Sequence, residues 1–343
     1  MSRNILEIRP IFIVGAPRSG TTLLQYMLRS HPRISLPTGE SHFFIPIYKS
    51  RSKFGDLRQP SNIMRVLKTM YYWSPEFLET DFPGLELNFE SILKDILERK
   101  AFSIPEIFSA VYEANALGEG KCRWGEKTPY YLLHMTTILE MYPKAQIIHI
   151  IRDGRDVALS LFRRHLDFGV YNVHSAAEYW SSYVERGQMI GSTLPRSAYM
   201  ECRYEDLVSD PYRISRRICE FLNEDFDEKV VHYNVSHNSG KTPLLQKPID
   251  KGNFNKWRNE FNPYSIRVYE CVAGKTLRRN GYELTCHPLQ INLIKKCLYR
   301  FHNALCNYIY RKNCDEFAQL ISDIRRLLVN NSQRTDMQSK LEG

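Results

Sequence analysis

The feature that most constrains the fold is a short apolar run that ends in two glycines and a pair of threonines. Residues 11–14 read Ile-Phe-Ile-Val, and such β-branched and aromatic side chains favour a strand buried on both faces of a parallel sheet. Gly15 and Gly20 then allow a tight turn whose backbone N–H groups can converge on an anion. A helix predicted from Thr21 adds the positive end of its dipole. The sequence therefore predicts a strand, a phosphate-binding loop and a helix in direct succession.

The loop has the glycine spacing of a nucleotide-binding P-loop but lacks its lysine. In a Walker A loop a Lys and a Ser or Thr follow the second glycine, whereas this chain has Thr21 and Thr22. A kinase or ATPase is disfavoured without a lysine that reaches the β- and γ-phosphates, and the cation must come from Arg18 inside the loop. The alternative is an ordinary strand-to-helix turn with incidental glycines.

The string Pro-Arg-Ser-Gly-Thr-Thr-Leu over residues 17–23 resembles the 5′-phosphosulfate loop of sulfotransferases that use 3′-phosphoadenosine 5′-phosphosulfate (PAPS). It is most similar to the tyrosylprotein and bacterial branch of that family. The resemblance implies an α/β fold, in which a P-loop-like central parallel β-sheet is flanked by helices on both faces. It also implies transfer of a sulfuryl group to an acceptor hydroxyl. The loop residues that it makes cofactor-binding are Pro17, Arg18, Ser19, Gly20, Thr21 and Thr22.

A second basic motif follows another apolar strand, predicted over residues 146–151. Arg152 stands at the strand end, and a helix predicted from Val157 carries Ser160 and Arg164 one turn apart. A guanidinium with paired planar donors and a hydroxyl suit a phosphate dianion. In the family the matching Arg and Ser hold the 3′-phosphate of the cofactor, so the resemblance gives that role to Arg152 and Ser160 and makes Arg164 a third basic position. Taken alone, the helix also fits a charged, solvated surface.

The resemblance also indicates the residues of the transfer step. Lys127 matches the lysine beside the bridging oxygen between phosphate and sulfate, where an ammonium stabilises charge on the leaving group. Pro129 occupies the position of the basic histidine of cytosolic small-molecule enzymes, so the base must come from elsewhere. Glu40 matches the base of the tyrosylprotein enzymes, and we expect desolvation to raise its pKa towards a useful range. His42 is the rival base.

The predicted mechanism is an in-line transfer that requires no metal ion. Glu40 takes a proton from the acceptor hydroxyl as that oxygen attacks sulfur, while Lys127 and Arg18 stabilise the departing adenosine 3′,5′-bisphosphate. A P-loop kinase is one alternative, and it would need a loop lysine and a magnesium-binding aspartate. A non-catalytic nucleotide-binding protein is the other, and it would not need Glu40 or Lys127. Nothing in the sequence specifies whether the acceptor is a carbohydrate, a lipid, a small molecule or a peptide tyrosine.

Two later motifs are expected to complete the cofactor site. Tyr204 begins a Tyr-Glu-Asp-Leu string, which in the family follows a core strand, here predicted at residues 197–202. It is given mainly a structural role beside the cofactor. Lys256 falls in a segment that begins at Lys247 and resembles the loop that covers the 3′-phosphate end. A solvated surface lysine is the favoured alternative for Lys256.

Length and composition fit one enzyme domain with extensions. A chain of 343 residues that is 43% hydrophobic can bury a sizeable core. We expect a sulfotransferase domain over residues 1–285, with a helical insert at 45–120 on the acceptor side. A helical C-terminal extension at 286–330 and a disordered tail at 331–343 follow.

The C-terminal extension contains an amphipathic helical pattern. Its apolar stripe recurs at steps of three and four residues at Ile291, Ile294, Leu298, Phe301, Leu305 and Tyr308. Packing of this stripe on the domain, or on a second subunit in a homodimer, is the favoured interpretation. Contact of residues 290–312 with an anionic membrane, which would bring the enzyme to a lipid acceptor, is the alternative.

Charge and cysteine usage restrict the partners and the compartment. A net charge of +9 fits an anionic cofactor, whereas scattered acidic residues and the lack of a dense basic run disfavour nucleic acid. Eight cysteines without a Cys-x-x-Cys pair favour reduced thiols over a disulfide framework or a zinc site. No signal-peptide pattern or apolar span is visible, so we expect a cytoplasmic protein, and the resemblance implies a bacterial one.

Overall fold

A five-stranded sheet organises the part of the chain that the computed structural model describes, residues 9–73, 77–78, 82, 88–164, 168–233, 248–285 and 291–310. Its strands are β1 (Ile11–Gly15), β2 (Ile34–Ser35), β3 (Arg123–Lys127), β4 (Gln146–Ile151) and β5 (Tyr199–Arg203). They lie in the order β2-β3-β1-β4-β5, and all neighbouring pairs are parallel. The central strand β1 is buried along its whole length, as its uninterrupted apolar sequence predicts.

Both faces of the sheet are covered by helices. Side chains alternate along β1, so Phe12 and Val14 join one apolar cluster while Ile11 and Ile13 join another on the opposite face. The sheet flanked on both faces, predicted from the sequence, is confirmed. The helices are α1 (Thr21–Arg29), α2 (Phe44–Lys49), α3 (Pro60–Trp73), α4 (Phe89–Arg99), α5 (Ile104–Gly118), α6 (Met135–Met141), α7 (Gly154–Phe162), α8 (Val173–Gly191), α9 (Tyr204–Ser209), α10 (Pro211–Leu222), α11 (Trp257–Glu260), α12 (Pro263–Arg279) and α13 over 293–310.

Three features of the elements differ from the prediction. Strands β2 and β3 were not predicted, because β2 is very short and β3 carries charged residues and a glycine that lower its strand propensity. Strand β5 starts two residues later than expected and ends at Arg203. Helix α7 begins at Gly154 rather than Val157, since the Asp153 side chain accepts a hydrogen bond from the backbone N–H of Arg155 at 2.9 Å and caps the helix.

Helices α2 to α5 occupy most of the predicted insert, although its limits stay a prediction. In the C-terminal extension, the described part is α13, and its apolar stripe is exposed rather than packed on the domain. That part of the expectation is wrong, because the helix lies against the domain with its polar side. Residues 311–330 of the extension and the tail at 331–343 lie outside the described residues. Among those that are described, no helix has the length and apolarity needed to cross a bilayer.

Candidate active site

The candidate site is a cavity of about 670 Å³ at the carboxyl edge of the sheet. The chain leaves β1 for one side of the sheet and, after β3, crosses to the other, so β1 is a topological switch point where α/β proteins bind ligands. Loops after β1, β4 and β5 all reach the cavity. The sequence-predicted residues that line it are Pro17, Arg18, Gly20, Thr21, Thr22, Glu40, Arg152, Ser160, Tyr204 and Lys256.

The loop after β1 is a tight turn that leads directly into α1. The backbone N–H of Ser19 donates to the Ala16 carbonyl at 3.1 Å, and Arg18 and Gly20 have left-handed backbones with φ of 73° and 98°. At Gly20 a Cβ atom would lie 2.4 Å from the ring of Tyr204, so only glycine fits. The turn delivers the first N–H groups of α1, which have no intrahelical acceptor, to the cavity.

The two predicted phosphate motifs meet through one hydrogen bond. Arg18 Nε donates to Ser160 Oγ at 3.0 Å, which joins the loop after β1 to helix α7. Ser19, by contrast, is fully buried beneath the loop and does not line the cavity. Two sites that are far apart in sequence therefore form one basic region.

Arg152 is held in place but retains an unused donor. Its guanidinium lies over the ring of Tyr204, 4.4 Å from the centroid, and its Nη2 donates to the Asn253 carbonyl at 3.0 Å. Asn253 also donates from Nδ2 to the Tyr204 hydroxyl at 2.7 Å. Among the described residues, Arg152 Nε is buried and finds no acceptor. A buried guanidinium N–H that no described residue accepts from is uncommon, and since Arg152 lines the cavity this donor is available to an anion bound there.

Asp156 fastens the segment that covers this end of the cavity. Its carboxylate accepts from the backbone N–H groups of Asn255 at 2.7 Å and Trp257 at 3.0 Å. Lys256 lies between these two anchors and lines the cavity, as the resemblance implies. Lys247, where the predicted covering segment begins, lies outside the described residues. Sequence reasoning missed Asp156, because nothing in the string Arg-Asp-Gly-Arg-Asp distinguishes its second aspartate.

Lys127 and Glu40 form an ion pair at the floor of the site. Lys127 Nζ lies 2.7 Å from Glu40 Oε1, and His42 Nε2 lies 3.3 Å from Glu40 Oε2. Lys127 ends β3 with only 3% of its side chain exposed. It does not itself line the cavity, but it contacts Glu40, which does. The structure thus brings together the predicted ammonium, the predicted base and the rival base.

The pKa of Glu40 moves in the direction opposite to the expected one. Burial alone would raise it, but the charges and hydrogen bonds of Lys127 and His42 outweigh burial and lower the pKa to about 2. The hydrogen bond to Glu40 in turn raises the pKa of His42. The expectation of a raised pKa is wrong for this arrangement, because the sequence did not reveal that the two catalytic candidates neutralise each other.

Glu126 holds the Glu40 segment against β3 and was missed by the sequence analysis. It is fully buried, and its Oε1 accepts from the Ser41 hydroxyl at 3.0 Å, from Thr128 Oγ1 at 2.5 Å and from the Ser41 N–H at 3.3 Å. Its Oε2 accepts from the Tyr112 hydroxyl at 2.5 Å. Burial raises the pKa of Glu126 although these donors oppose the shift. The only sequence signal was its position beside Lys127.

The far end of the cavity is lined by aromatic rings. Tyr130, Tyr179, Tyr183 and Phe168 line the cavity, and Tyr179 and Tyr183 lie close enough to Glu40 that, in addition to burial, its charge helps to raise the pKa of their phenols. The rings of Tyr179 and Tyr183 lie 4.9 Å apart, and burial raises the pKa of both phenols, which stay protonated. Sequence reasoning missed this wall because two of its tyrosines come from the interior of α8, where an aromatic residue usually signals core packing.

A basic residue next to the predicted Arg164 also lines the cavity. Arg164 does not line the cavity, whereas the adjacent Arg163 does, with its guanidinium 2.6 Å from Glu260. The role of Arg164 stays a prediction. The site as a whole combines cations for an anionic donor, a carboxylate beside an ammonium and an aromatic opening for a second substrate.

Comparison with known proteins agrees with this geometry. A family model described as "Sulfotransferase family" matches residues 10–228. Protein-tyrosine sulfotransferase 1 of Danio rerio is 25% identical over 292 residues, which cover 81% of this chain and 73% of the relative.

Two solved structures share the fold. The sulfotransferase domain from the curacin biosynthetic pathway has a TM-score of 0.57 at 21% identity, covering 81% of this chain and 99% of that one. The sulfotransferase domain from the Synechococcus PCC 7002 olefin synthase has a TM-score of 0.54 at 23% identity, covering 83% and 99%. This chain therefore belongs to the sulfotransferase family, enzymes that transfer a sulfuryl group to an acceptor hydroxyl.

Proposed function

We propose that the sulfuryl donor is PAPS and that the acceptor is a hydroxyl on an aromatic ring, of the kind that a peptide tyrosine presents. The donor assignment depends on two anion-binding regions that meet in one cavity, the turn at residues 15–22 and the Arg152 and Ser160 pair. The buried Arg152 Nε without an acceptor fits the second phosphate of such a donor. When bound, PAPS supplies an activated sulfuryl group on a phosphate leaving group.

Different residues of this chain would bind the two ends of the donor and stabilise the leaving group. The N–H groups at the start of α1 and the Arg18 guanidinium hold the phosphosulfate end. Arg152 and Ser160 hold the 3′-phosphate, with Lys256 above them. Lys127 offers a positive charge where negative charge develops on the leaving oxygen.

Glu40 is the proposed base, and its partner controls its strength. In the ion pair with Lys127 it is ionised but a weak proton acceptor, with a pKa of about 2. When Lys127 turns towards an anionic donor it no longer stabilises the carboxylate, and burial, the largest single influence on Glu40, then raises its pKa. Glu40 therefore becomes a better base as the donor binds, which couples donor binding to removal of the acceptor proton.

The acceptor proposal depends on the aromatic wall beside Glu40. Tyr130, Tyr179, Tyr183 and Phe168 would pack against a flat ring through offset or edge contacts. The similarity to protein-tyrosine sulfotransferase 1 favours the same class of hydroxyl.

Two measurements test the proposal. Calorimetry should detect binding of adenosine 3′,5′-bisphosphate, and transfer from radiolabelled PAPS should be faster to a tyrosine peptide than to a matched serine peptide or a monosaccharide. Failure of the bisphosphate to bind at millimolar concentration would overturn the donor assignment. Preferred transfer to the monosaccharide would overturn the acceptor assignment and leave the donor intact.

A further inference from the structure

Helix α13 (293–310) is attached to the domain by its polar side. The side chains of Asn303 and Asn307 donate to the Gly169 carbonyl at 3.0 and 2.9 Å, and the Tyr171 N–H donates to Asn303 Oδ1 at 2.8 Å. Gly169 has a φ of 64°, and a Cβ there would lie 2.4 Å from Asn307. These contacts fix the orientation of the helix about its own axis.

Three further contacts fix the same face. The Arg300 guanidinium pairs with Glu178 at 2.5 Å, and the Tyr299 ring stacks on His174 with centroids 5.2 Å apart and planes within 8°. The Tyr299 carbonyl accepts from Asn172 Nδ2 at 2.9 Å. The polar face of α13 is therefore used within the chain.

The apolar stripe of α13 consequently points to solvent. Its side chains are 45% to 71% exposed at Ile294, Leu298, Phe301, Leu305 and Tyr308. With Ile291 they follow alternating steps of three and four residues, which is the a and d pattern of a heptad repeat. An amphipathic helix normally has the reverse orientation, with its apolar side against its own domain.

We propose that this stripe is the contact between two copies of the chain, which form a homodimer through their α13 helices. A spacing that averages 3.5 residues keeps a narrow seam aligned with another helix. Two identical stripes related by a two-fold axis complement each other. An anionic membrane would instead bind through basic flanks; of these, Arg300 is paired with Glu178 while Lys295 and Lys296 are exposed, so vesicle binding is one of the outcomes tested below.

The size of the stripe agrees with this proposal. Stable interfaces bury roughly 800 Å² per partner, and the stripe presents five large side chains that are each 45% to 71% exposed. The flanking Leu293 and Ile309, also exposed, extend the surface further. The inference is independent of the donor and the acceptor proposed above.

The test is the molecular mass of the full-length chain in solution. Sedimentation should show a dimer at micromolar concentration. In the double variant Leu298→Glu with Phe301→Glu, the dissociation constant of the dimer should rise at least tenfold, so that the monomer predominates. Leu117→Glu, at a side chain 65% exposed at the end of α5, should leave the dimer unchanged. Equal circular dichroism spectra and equal thermal unfolding of all three proteins would show that the variants fold.

Three outcomes would overturn the proposal. The first is a full-length chain that is monomeric at tens of micromolar. The second is a monomer that sediments with phosphatidylserine vesicles through the same two side chains, which would make the occupant a membrane. The third is a monomer that dimerises only after deletion of residues 311–343, which would make the chain's own tail the cover of the stripe.

Discussion

The anion-binding half of the site and the transfer half are built in opposite ways. Arg152 is fixed by Tyr204, the Asn253 carbonyl and the Asp156 carboxylate at 3.8 Å, and its buried Nε still finds no acceptor among the described residues. In the transfer half, Lys127 and Glu40 instead satisfy each other at 2.7 Å. One half is ready for its ligand, whereas the other must exchange an internal partner for an external one before it can act.

Because of this difference, we expect the anion-binding half to determine mainly the affinity for the donor and the transfer half to determine mainly kcat. A preorganised donor that loses no internal contact gives its full hydrogen-bond energy to affinity. A paired group contributes less to affinity, since its new contact replaces an old one, and more to the step in which charge develops. Substitutions in the two halves should therefore affect different kinetic constants.

The largest effect is expected for Lys127→Ala. Removing a charge that stabilises the leaving group should lower kcat by about 10² to 10³, while the affinity for adenosine 3′,5′-bisphosphate changes only a few-fold. Single-turnover transfer and calorimetry check the two quantities. Lys144→Ala, at an exposed lysine outside the cavity, is the control. A loss of affinity equal to the loss of kcat would contradict the separation of the two halves.

Arg152→Ala should have the reverse signature. Loss of charge-assisted hydrogen bonds worth about 1.5–3 kcal/mol weakens bisphosphate binding by roughly 10- to 100-fold, with kcat at saturation little changed. Arg163→Ala, at the exposed guanidinium paired with Glu260, should cost far less. Equal losses for both variants in calorimetry would show that general positive charge, rather than the buried donor, binds the phosphate.

Glu126→Gln should reduce kcat by about tenfold and lower stability by about 1–3 kcal/mol. The amide nitrogen would face a hydroxyl donor from Tyr112, Ser41 or Thr128, and the segment that carries Glu40 would lose its anchor. Denaturant unfolding and steady-state kinetics measure the two effects. Glu140→Gln, at an exposed carboxylate, is the control. A stability loss without any change in kcat would limit Glu126 to a folding role.

The pH dependence of kcat/KM should show the smallest effect, and it distinguishes the two candidate bases, Glu40 and His42. In the unliganded enzyme the pKa of Glu40 is about 2, so Glu40 is ionised at every pH above about 4, and kcat/KM for the donor, which reports the free enzyme, should not fall as the pH is lowered from 8 to 5. The pKa of His42 is raised from its usual 6.5, so a neutral His42 base would lose activity within that range. A pH profile of kcat/KM distinguishes the two, and an acidic limb that disappears in His42→Gln would identify the histidine.

Local patterns in the sequence predicted the parts of the site that depend on backbone conformation. The strand, the glycine turn and the start of α1 are determined by neighbouring residues, as is the helix that carries Ser160. The contacts that decide charge and orientation join distant segments, such as Glu40 with Lys127 and Arg18 with Ser160. Residue type alone could not show that Glu40 has a lowered pKa or that Arg163 rather than Arg164 faces the cavity.

The C-terminal helix α13 also shows that the sequence predicts a pattern but not the contacts that it makes. Its heptad spacing was readable in the sequence and predicted an apolar contact. Which side faces the domain depends on Gly169 and Glu178, more than a hundred residues earlier in the chain. A periodic pattern thus predicts that a partner exists, and only the fold shows that the described domain is not that partner.

The carboxylate of Asp156 has a consequence for product release. It sits four residues before Ser160 on the same helix and anchors the covering segment by two backbone N–H groups. Release of the spent nucleotide past this segment would require both hydrogen bonds to break. The lifetime of the closed segment, rather than the chemistry beneath it, would then set the pace of the enzyme, and Asp156→Asn would shorten that lifetime.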